Sequence, residues 1–510
     1  MCRLDVMVAV LSAVWLAGCA TSAINMAPDR PDRPWTPATL DSGEIIPGEH
    51  GAPRATNGQG YVLPSNTAVA RVPPPPSIDS TKVYSLPELI DLAEANNPST
   101  RIAWNEARKV ALAAGIAESA YLPKVTASAV LAYLGGSSTG SASGVGFQSN
   151  TSATGVIPAV SLQWLLFDFG ERSAIIDAAK QASVIANIAF TAAHQQLIYN
   201  VWLAFYAHAA ARARLATATQ SLVNAKAVQA AAEDRYNRDI GTTIEVAQAR
   251  QATAQANLAV VQATGGAQDA YLTLISAMGI SPLTRITVAD ASGRKLSATM
   301  EEPVESFINT SLARRPDLLS AFAAQKASLA NVRAAQAEFM PKAFLAATGS
   351  YNSGSLNLTA IPSVGQQDAT FNLNGGRFGG SILAGVTLPL YDGGTRSAVL
   401  AQAHAEADSA AARLTRVRDD AVRQIVLADN ALRTSLSAHS ASEALRSAAQ
   451  TTFDAALAAY RSGVGSITDL TMAETQLLLA RNATTDAYST ALSAAATLAL
   501  ATGALGQAPP

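Results

Sequence analysis

The chain carries one passage twice. Leu166-Phe167-Asp168-Phe169-Gly170-Glu171-Arg172-Ser173-Ala174 returns later as Leu390-Tyr391-Asp392-Gly393-Gly394-Thr395-Arg396-Ser397-Ala398. Each copy follows a segment of β character and opens a long run without proline. Tyr236 and Gly241 recur at the same offset as Tyr460 and Gly465, while Pro98 and Pro123 recur at a slightly shorter one as Pro316 and Pro341. Two nearly constant offsets across five landmarks establish a duplicated unit, which restricts the fold to an architecture built twice.

Within each unit the order is helices, strand, strand, long helix, return helix. Ser85-Leu86-Pro87-Glu88 has the form of a capping box with an early proline, so a helix starts there and ends at Asn96-Asn97-Pro98. A second helix stops at Leu122-Pro123. Strands are predicted at about 124–134 and 156–167, where Val160, Leu162 and Trp164 alternate with Ala159, Ser161 and Gln163. The Gly/Ser-rich stretch 135–155 reads as their loop. A helix over about 170–237 would be roughly 100 Å long. The first repeat thus covers 85–282, a connector 283–302, the second repeat 303–505 and a tail 506–510. In the second repeat, strands are predicted at about 343–351 and 378–391 and the long helix at about 395–462. There Ile382, Ala384, Val386 and Leu388 alternate with Ser381, Gly385 and Thr387. The helices before the strands and the return helix are each about half as long as the long one. Stacked end to end, they would match it.

Only 15% of residues are charged and the net charge is −2, which argues against a nucleic-acid partner. Beyond Ala20 no apolar run reaches the length of a transmembrane helix, so any membrane span is made of strands. Residues 1–18 read as a signal peptide, with Arg3 ahead of the apolar run Val6 to Trp15. Leu16-Ala17-Gly18-Cys19 looks like a bacterial lipobox, which implies acylation at Cys19, and Ala20 after it favours the outer membrane. Residues 19–84, rich in proline, read as a lipidated extended tether.

Membrane strands must close into a barrel. Four strands enclose no lumen, eight give an interior filled by side chains, and twelve from three copies give a conduit. The helices would then reach back into the periplasm.

This duplicated unit resembles the TolC-type outer-membrane efflux proteins, and the lipobox points to their lipoprotein branch of OprM and NodT type. The resemblance rests on the two copies of the joint passage, on Ala313-Arg314-Arg315-Pro316-Asp317-Leu318, and on Tyr460-Arg461-Ser462-Gly463-Val464-Gly465-Ser466. It covers about residues 85 to 505. It implies a mainly α fold with membrane β: a homotrimer whose twelve-stranded β-barrel continues as a long periplasmic α-helical barrel. It also implies a passive channel loaded by a periplasmic adaptor and an inner-membrane pump, of RND type in preference to ABC type. No cofactor is implied. The sequence shows no GxxxxGK[ST] loop, no Ser/His/Asp elbow and no Cys/His cluster, so neither a motor nor an enzyme is indicated. Two other functions are weighed: the duct of a type I protein secretion system, and a structural coiled-coil outer-membrane lipoprotein. The second would need neither strands nor their duplication.

Three groups of residues stand out. Ile240-Gly241-Thr242 and Val464-Gly465-Ser466 form the helical turns, and the resemblance implies that they dock the adaptor. Glu245 and Asp469 lie at matching positions just past those turns, so three copies would set each as a carboxylate ring, while Tyr460 and Arg461 could hold an entrance closed. Asp168 and Asp392 are read as helix-start carboxylates and Gly170 and Gly394 as the turning residues of the joints. His194 and His208 lie four turns apart on one helix, too far to share a metal.

Overall fold

The computed structural model describes residues 26–28, 31, 35, 37–50, 62–70, 78–79, 81–142, 145–290, 296, 303–351, 358–361, 370–373 and 378–505. The signal peptide, Cys19 and the tail lie outside them. Contacts divide the chain into a unit ending at Ser77 and one beginning at Ile78. In the first, β1 (Pro37–Thr39) and β2 (Ile45–His50) form an antiparallel hairpin. Gly43 turns it with φ 83°, and the Thr67 N–H donates to the Ser42 carbonyl at 3.0 Å. The predicted tether is therefore not wholly extended.

The tether also ends earlier than predicted. β3 (Val83–Tyr84) belongs to the second unit, where it pairs in parallel with β6 (Thr287–Val288) from the predicted connector. Tyr84 and Val288 are both buried.

The first repeat continues with α1 (Leu86–Asn96), α2 (Pro98–Glu118), β4 (Lys124–Ala142), β5 (Val145–Phe167), α3 (Glu171–Asn237) and α4 (Thr243–Ala277). The second has α5 (Glu305–Leu312), α6 (Pro316–Ala337), β7 (Lys342–Tyr351), β8 (Leu358–Ile361), β9 (Thr370–Leu373), β10 (Phe378–Thr387), α7 (Thr395–Arg461) and α8 (Ile467–Ala501). The β4–β5 ladder runs through the Gly/Ser-rich stretch predicted as a loop, out to the pair Ala142 and Val145. Small residues on both faces erase the alternation that marks a half-buried strand, but the backbone hydrogen bonds do not need it. Next to the joints one sheet has the order β10-β7-β5-β4, all antiparallel. It joins the two hairpins through β5 and β7, and β4 and β10 are its edges.

The long helices α3 and α7 are 67 residues each, about 100 Å. α3 packs on α2, α4, α6 and α8, and α7 on α6 and α8. The short helices meet end to end. Asn97 caps α2 by accepting from the Ser99 N–H at 2.9 Å, and its Nδ2 donates to the Ala277 carbonyl at the end of α4 at 3.1 Å. The equivalent position in the second repeat is Arg315, which donates from one guanidinium nitrogen to the Ala501 carbonyl at the end of α8 at 2.8 Å. Its other nitrogens bind Asp317 at 2.6 and 3.0 Å and Gln424 of α7 at 2.7 Å. So α4 continues into α2 and α8 into α6, and each repeat contributes one unbroken column and one two-piece column. A helix C-terminus facing a helix N-terminus also aligns the dipoles favourably.

Among the described residues, the two largest of several apolar clusters hold the columns together. One, at mid-length, gathers Leu89 of α1, Val201 and Phe205 of α3, Leu274 and Ile275 of α4, and Leu492 of α8. The other lies towards the turns, around Val228, Phe453, Tyr460, Leu470 and Leu477. Smaller clusters mix alanine with Val332, Ile425, Leu432 and Leu436, and the alanines let the helix axes approach closely.

Arg315→Ala removes charge-assisted bonds from a buried site and should cost about 2–3 kcal/mol. Asn97→Ala should cost about 1 kcal/mol. Thermal unfolding of the two variants side by side checks the difference, and equal losses would contradict it.

Candidate functional site

At each sheet-to-helix joint an aspartate and an arginine one helical turn further on act together. Asp168 Oδ2 accepts from the Arg172 backbone N–H at 2.9 Å and from its Nε at 2.8 Å. Arg172 then donates to the Leu165 carbonyl at 2.6 Å and the Ala120 carbonyl at 2.9 Å, with its guanidinium 5.0 Å over the Tyr121 ring. The β5–β7 register slips between Leu165 and Phe167, so the guanidinium takes up a carbonyl beside a bulge. The second joint repeats this. Asp392 Oδ2 accepts from Arg396 N and Nε at 3.0 and 2.6 Å, and Arg396 donates to the Pro389 carbonyl at 2.8 Å. Gly170 and Gly394 occupy the cap positions of α3 and α7 at φ 95° and 91°, so the aspartates act from just before the cap. Phe169 takes φ 53° where the second joint has Gly393 at 69°, a conformation costly for a side chain of that size. Lys342 of β7 pairs with Glu171 in the first turn of α3 and ties the two repeats together at this level.

The opposite end carries the two helical turns. Gly241 and Gly465 are fixed by close approach: a Cβ would lie 2.8 Å from Tyr236 N at the first and 3.0 Å from Tyr460 N at the second. Thr242 and Ser466 cap the return helices by accepting from the N–H groups of Glu245 at 3.2 Å and Asp469 at 3.0 Å. Ile240 and Val464 project from the turns, 62% and 85% exposed.

The matching positions part company inside the tip. Tyr460 is wholly buried, whereas Tyr236 is 45% exposed. Arg235 of α3 donates to the Tyr460 carbonyl at 3.0 Å and to the Ile240 carbonyl at 3.3 Å, and its guanidinium lies 4.9 Å over the Tyr460 ring. The Tyr460 hydroxyl donates to Glu245 Oε2 at 3.4 Å, and Glu245 also faces Arg235 Nε at 4.0 Å. Burial, then the Glu245 carboxylate, raises the Tyr460 phenol above its ordinary value, so it remains a donor at neutral pH. Arg235, Tyr460 and Glu245 thus bolt one helical hairpin to the other. Asp469 is exposed and bound to its own cap through Ser466 Oγ at 2.7 Å, and Arg461 is exposed and takes no part in these bonds. Glu245 and Asp469 are equivalent in sequence but not in surroundings.

Sequence reasoning overlooked the four arginines. Arg172 and Arg396 are visible as the partner repeated one helical turn after each aspartate. Arg315 stands in a motif noted for its resemblance, and its burial shows that motif to be a corner of the architecture. Arg235 had no signal, because its counterpart in the second repeat is Ala459.

A profile of the family described as "Outer membrane efflux protein" matches residues 89–280 and again 307–504, one span in each repeat. The chain belongs to the outer membrane efflux protein family. Protein CyaE of Bordetella pertussis is 28% identical to it over 411 residues, 80% of this chain and 82% of CyaE. Outer membrane protein OprJ of Pseudomonas aeruginosa is 27% identical over 299 residues, 58% of this chain and 59% of OprJ. The solved structure of the Campylobacter jejuni CmeC outer membrane channel shares the fold, with a TM-score of 0.68 at 19% identity over 83% of this chain and 87% of that one. The efflux family protein described here is accordingly of TolC-type channel fold, with its β part in the outer membrane and its helices in the periplasm.

Membership of this family gives the two faces of the sheet a meaning. Val125, Leu162, Ala347 and Ile382 pair in sequence across the four strands, as do Ala127, Val160, Gly349 and Gly380. This face suits hydrocarbon. On the other face Thr126, Ser161, Thr348 and Ser381 form one row, with hydroxyl-to-hydroxyl bonds of 2.6 Å between Thr126 and Ser161 and 2.8 Å between Thr348 and Ser381. The duplication has placed one such pair in each hairpin. Thr348→Cys should therefore react with a charged, water-soluble thiol reagent in lipid vesicles, and Ile382→Cys should not. Equal labelling would show that the faces are reversed or both wet.

Proposed function

We propose that this protein is the outer-membrane channel component of a tripartite efflux system. Three copies close their sheets edge to edge, β4 of one against β10 of the next, into a twelve-stranded barrel above a helical tunnel. Among the described residues both edge strands lack an outer neighbour, and a lipid-exposed edge is not tolerated. Ile102, Leu112 and Ile116 on α2 are exposed in the single chain and suit contact between copies. Substrates pass down the tunnel passively, delivered by an inner-membrane pump, RND-type in preference to ABC-type, through a periplasmic adaptor.

The observation that carries this reading is the pair of tips. Both are glycine-shaped turns of the same build, and both present apolar side chains, Ile240 and Ile244 on one and Val464 on the other. Apolar groups held out on rigid turns favour a protein partner over water. Gly241 and Thr242, with Gly465 and Ser466, set the shape that an adaptor meets. The Arg235–Tyr460–Glu245 bolt keeps the two hairpins of each copy together, and Asp469 supplies three carboxylates to the mouth. Cys19 anchors the mature chain to the outer membrane through its acyl groups.

In planar bilayers the trimer should conduct ions, and Arg235→Ala or Tyr460→Phe should raise the conductance several-fold by releasing the bolt. Inserted trimers that stay silent in all three forms would refute an open passage. Bulky residues at Gly465 should abolish crosslinking to the adaptor, and loss of export of a large secreted protein in place of small toxic molecules would assign the duct to type I secretion. Cys19→Ser should end labelling by a palmitate probe, and continued labelling would refute the anchor.

A further inference from the structure

Glu474 is a buried carboxyl on α8, two helical turns past Ile467 and so roughly 10 Å from the tip. It lies in the seam between α8 and α3, the seam that joins the helical hairpin of one repeat to that of the other. This seam is mostly apolar, and its polar rungs are Ser221 with Glu474, Arg214 with Asp486, the Tyr206 carbonyl with Ser489, and Tyr199 with Thr497. The other three rungs are neutral or charge-paired. Among the described residues of the seam, Glu474 alone is a charge-bearing group with no countercharge. Its partner there is Ser221, whose hydroxyl donates to Oε1 at 3.3 Å.

The charged groups on the surrounding helices are engaged elsewhere or exposed. On α3, Arg214 binds Asp486 and Lys226 is exposed. On α7, Arg446 and Asp454 are exposed. On α4, Arg250 binds Glu233 of α3. On α8 itself, Arg481 binds Gln450 and Asp469 binds Ser466. Around Glu474 stand Leu470, Ala473 and Leu477, all buried.

We propose that Glu474 makes the seam between the two hairpins proton-sensitive, closed while the carboxyl is neutral and loosened near the tips when it ionises. An isolated carboxylate in an apolar seam has one inexpensive remedy, which is to draw in water. Burial pushes the Glu474 carboxyl up to about 7, and only the Ser221 hydroxyl works in the other direction. The packed seam therefore binds the proton more tightly than the opened one does. Closure is fully favoured below the ordinary glutamate range near 4.5, weakens as pH rises from there, and is least favoured above about 7. From pH 5.5 to pH 8 the equilibrium for opening should rise roughly 30-fold. The proposal concerns the seam alone and holds whether or not the tips dock an adaptor.

Hydrogen exchange of residues 467–480 in the full-length reconstituted protein, corrected for the intrinsic effect of pH on exchange, tests it. The wild type should lose protection by the stated factor between pH 5.5 and 8. Glu474→Gln should stay protected at both, and Glu474→Met provides the same uncharged comparison should the amide disturb packing. Ser221→Ala removes the one group that favours the ionised form and should move the transition to higher pH. A wild-type segment whose protection does not change with pH would overturn the proposal. So would a Glu474→Gln protein that keeps the wild-type response.

Discussion

A β-ladder that turns directly into a helix leaves carbonyls and N–H groups without partners on both sides of the turn. The structure depends on how that is settled. One aspartate gathers the free N–H groups of the helix start, and one arginine, held by that aspartate, gathers a carbonyl at the end of the strand, Leu165, or just past it, Pro389. The guanidinium suits this because its donors are fixed in a plane and aim at several acceptors at once. Once the strand is committed at this corner, the 67-residue helix that follows has its direction and its rotational phase set. The apolar face of the sheet and the seams of the columns then fall into register, held also by the Asn97 and Arg315 corners and the Arg235 bolt.

Duplication explains both the likeness and the differences between the halves. The joints are near copies, but Arg172 is buried against Tyr121 and the Ala120 carbonyl, while Asp392 and Arg396 are more open to solvent. The tips are copies in backbone and unlike in side chains. Arg235 stands where the second repeat has Ala459, and it supplies the guanidinium of the bolt to Tyr460. Where two halves of a chain meet each other, identity would make the contact symmetric. Divergence at one residue gives it a donor side and an acceptor side.

Much of this was legible in the residues because the signals were periodic or repeated. The long helices showed themselves as proline-free runs bounded by Gly170 and Gly394, and the strands next to the joints by their alternation. The outer reaches of β4 and β5 were not legible, since Gly and Ser serve ladders and loops alike. Val83–Tyr84 and Thr287–Val288 were too short to carry a period, and each finds its partner across the whole of the first repeat. The tip residues were located from the turns, but the partner that gives Tyr460 its role was not, because Arg235 sits on a helix face like any solvated arginine. Repetition reveals what a duplication kept, and the asymmetric contacts are what it changed.

The two kinds of column differ in how they answer a load. α3 and α7 are single rods, so a force at one end is carried to the other along an unbroken hydrogen-bond ladder. The α4–α2 and α8–α6 columns are butted at Asn97 and Arg315, where one or a few side-chain bonds stand in for that ladder. A butted joint can swivel at low cost and a rod cannot. Torque applied at the periplasmic end would therefore be taken up at mid-length in alternate columns, leaving the membrane end undisturbed.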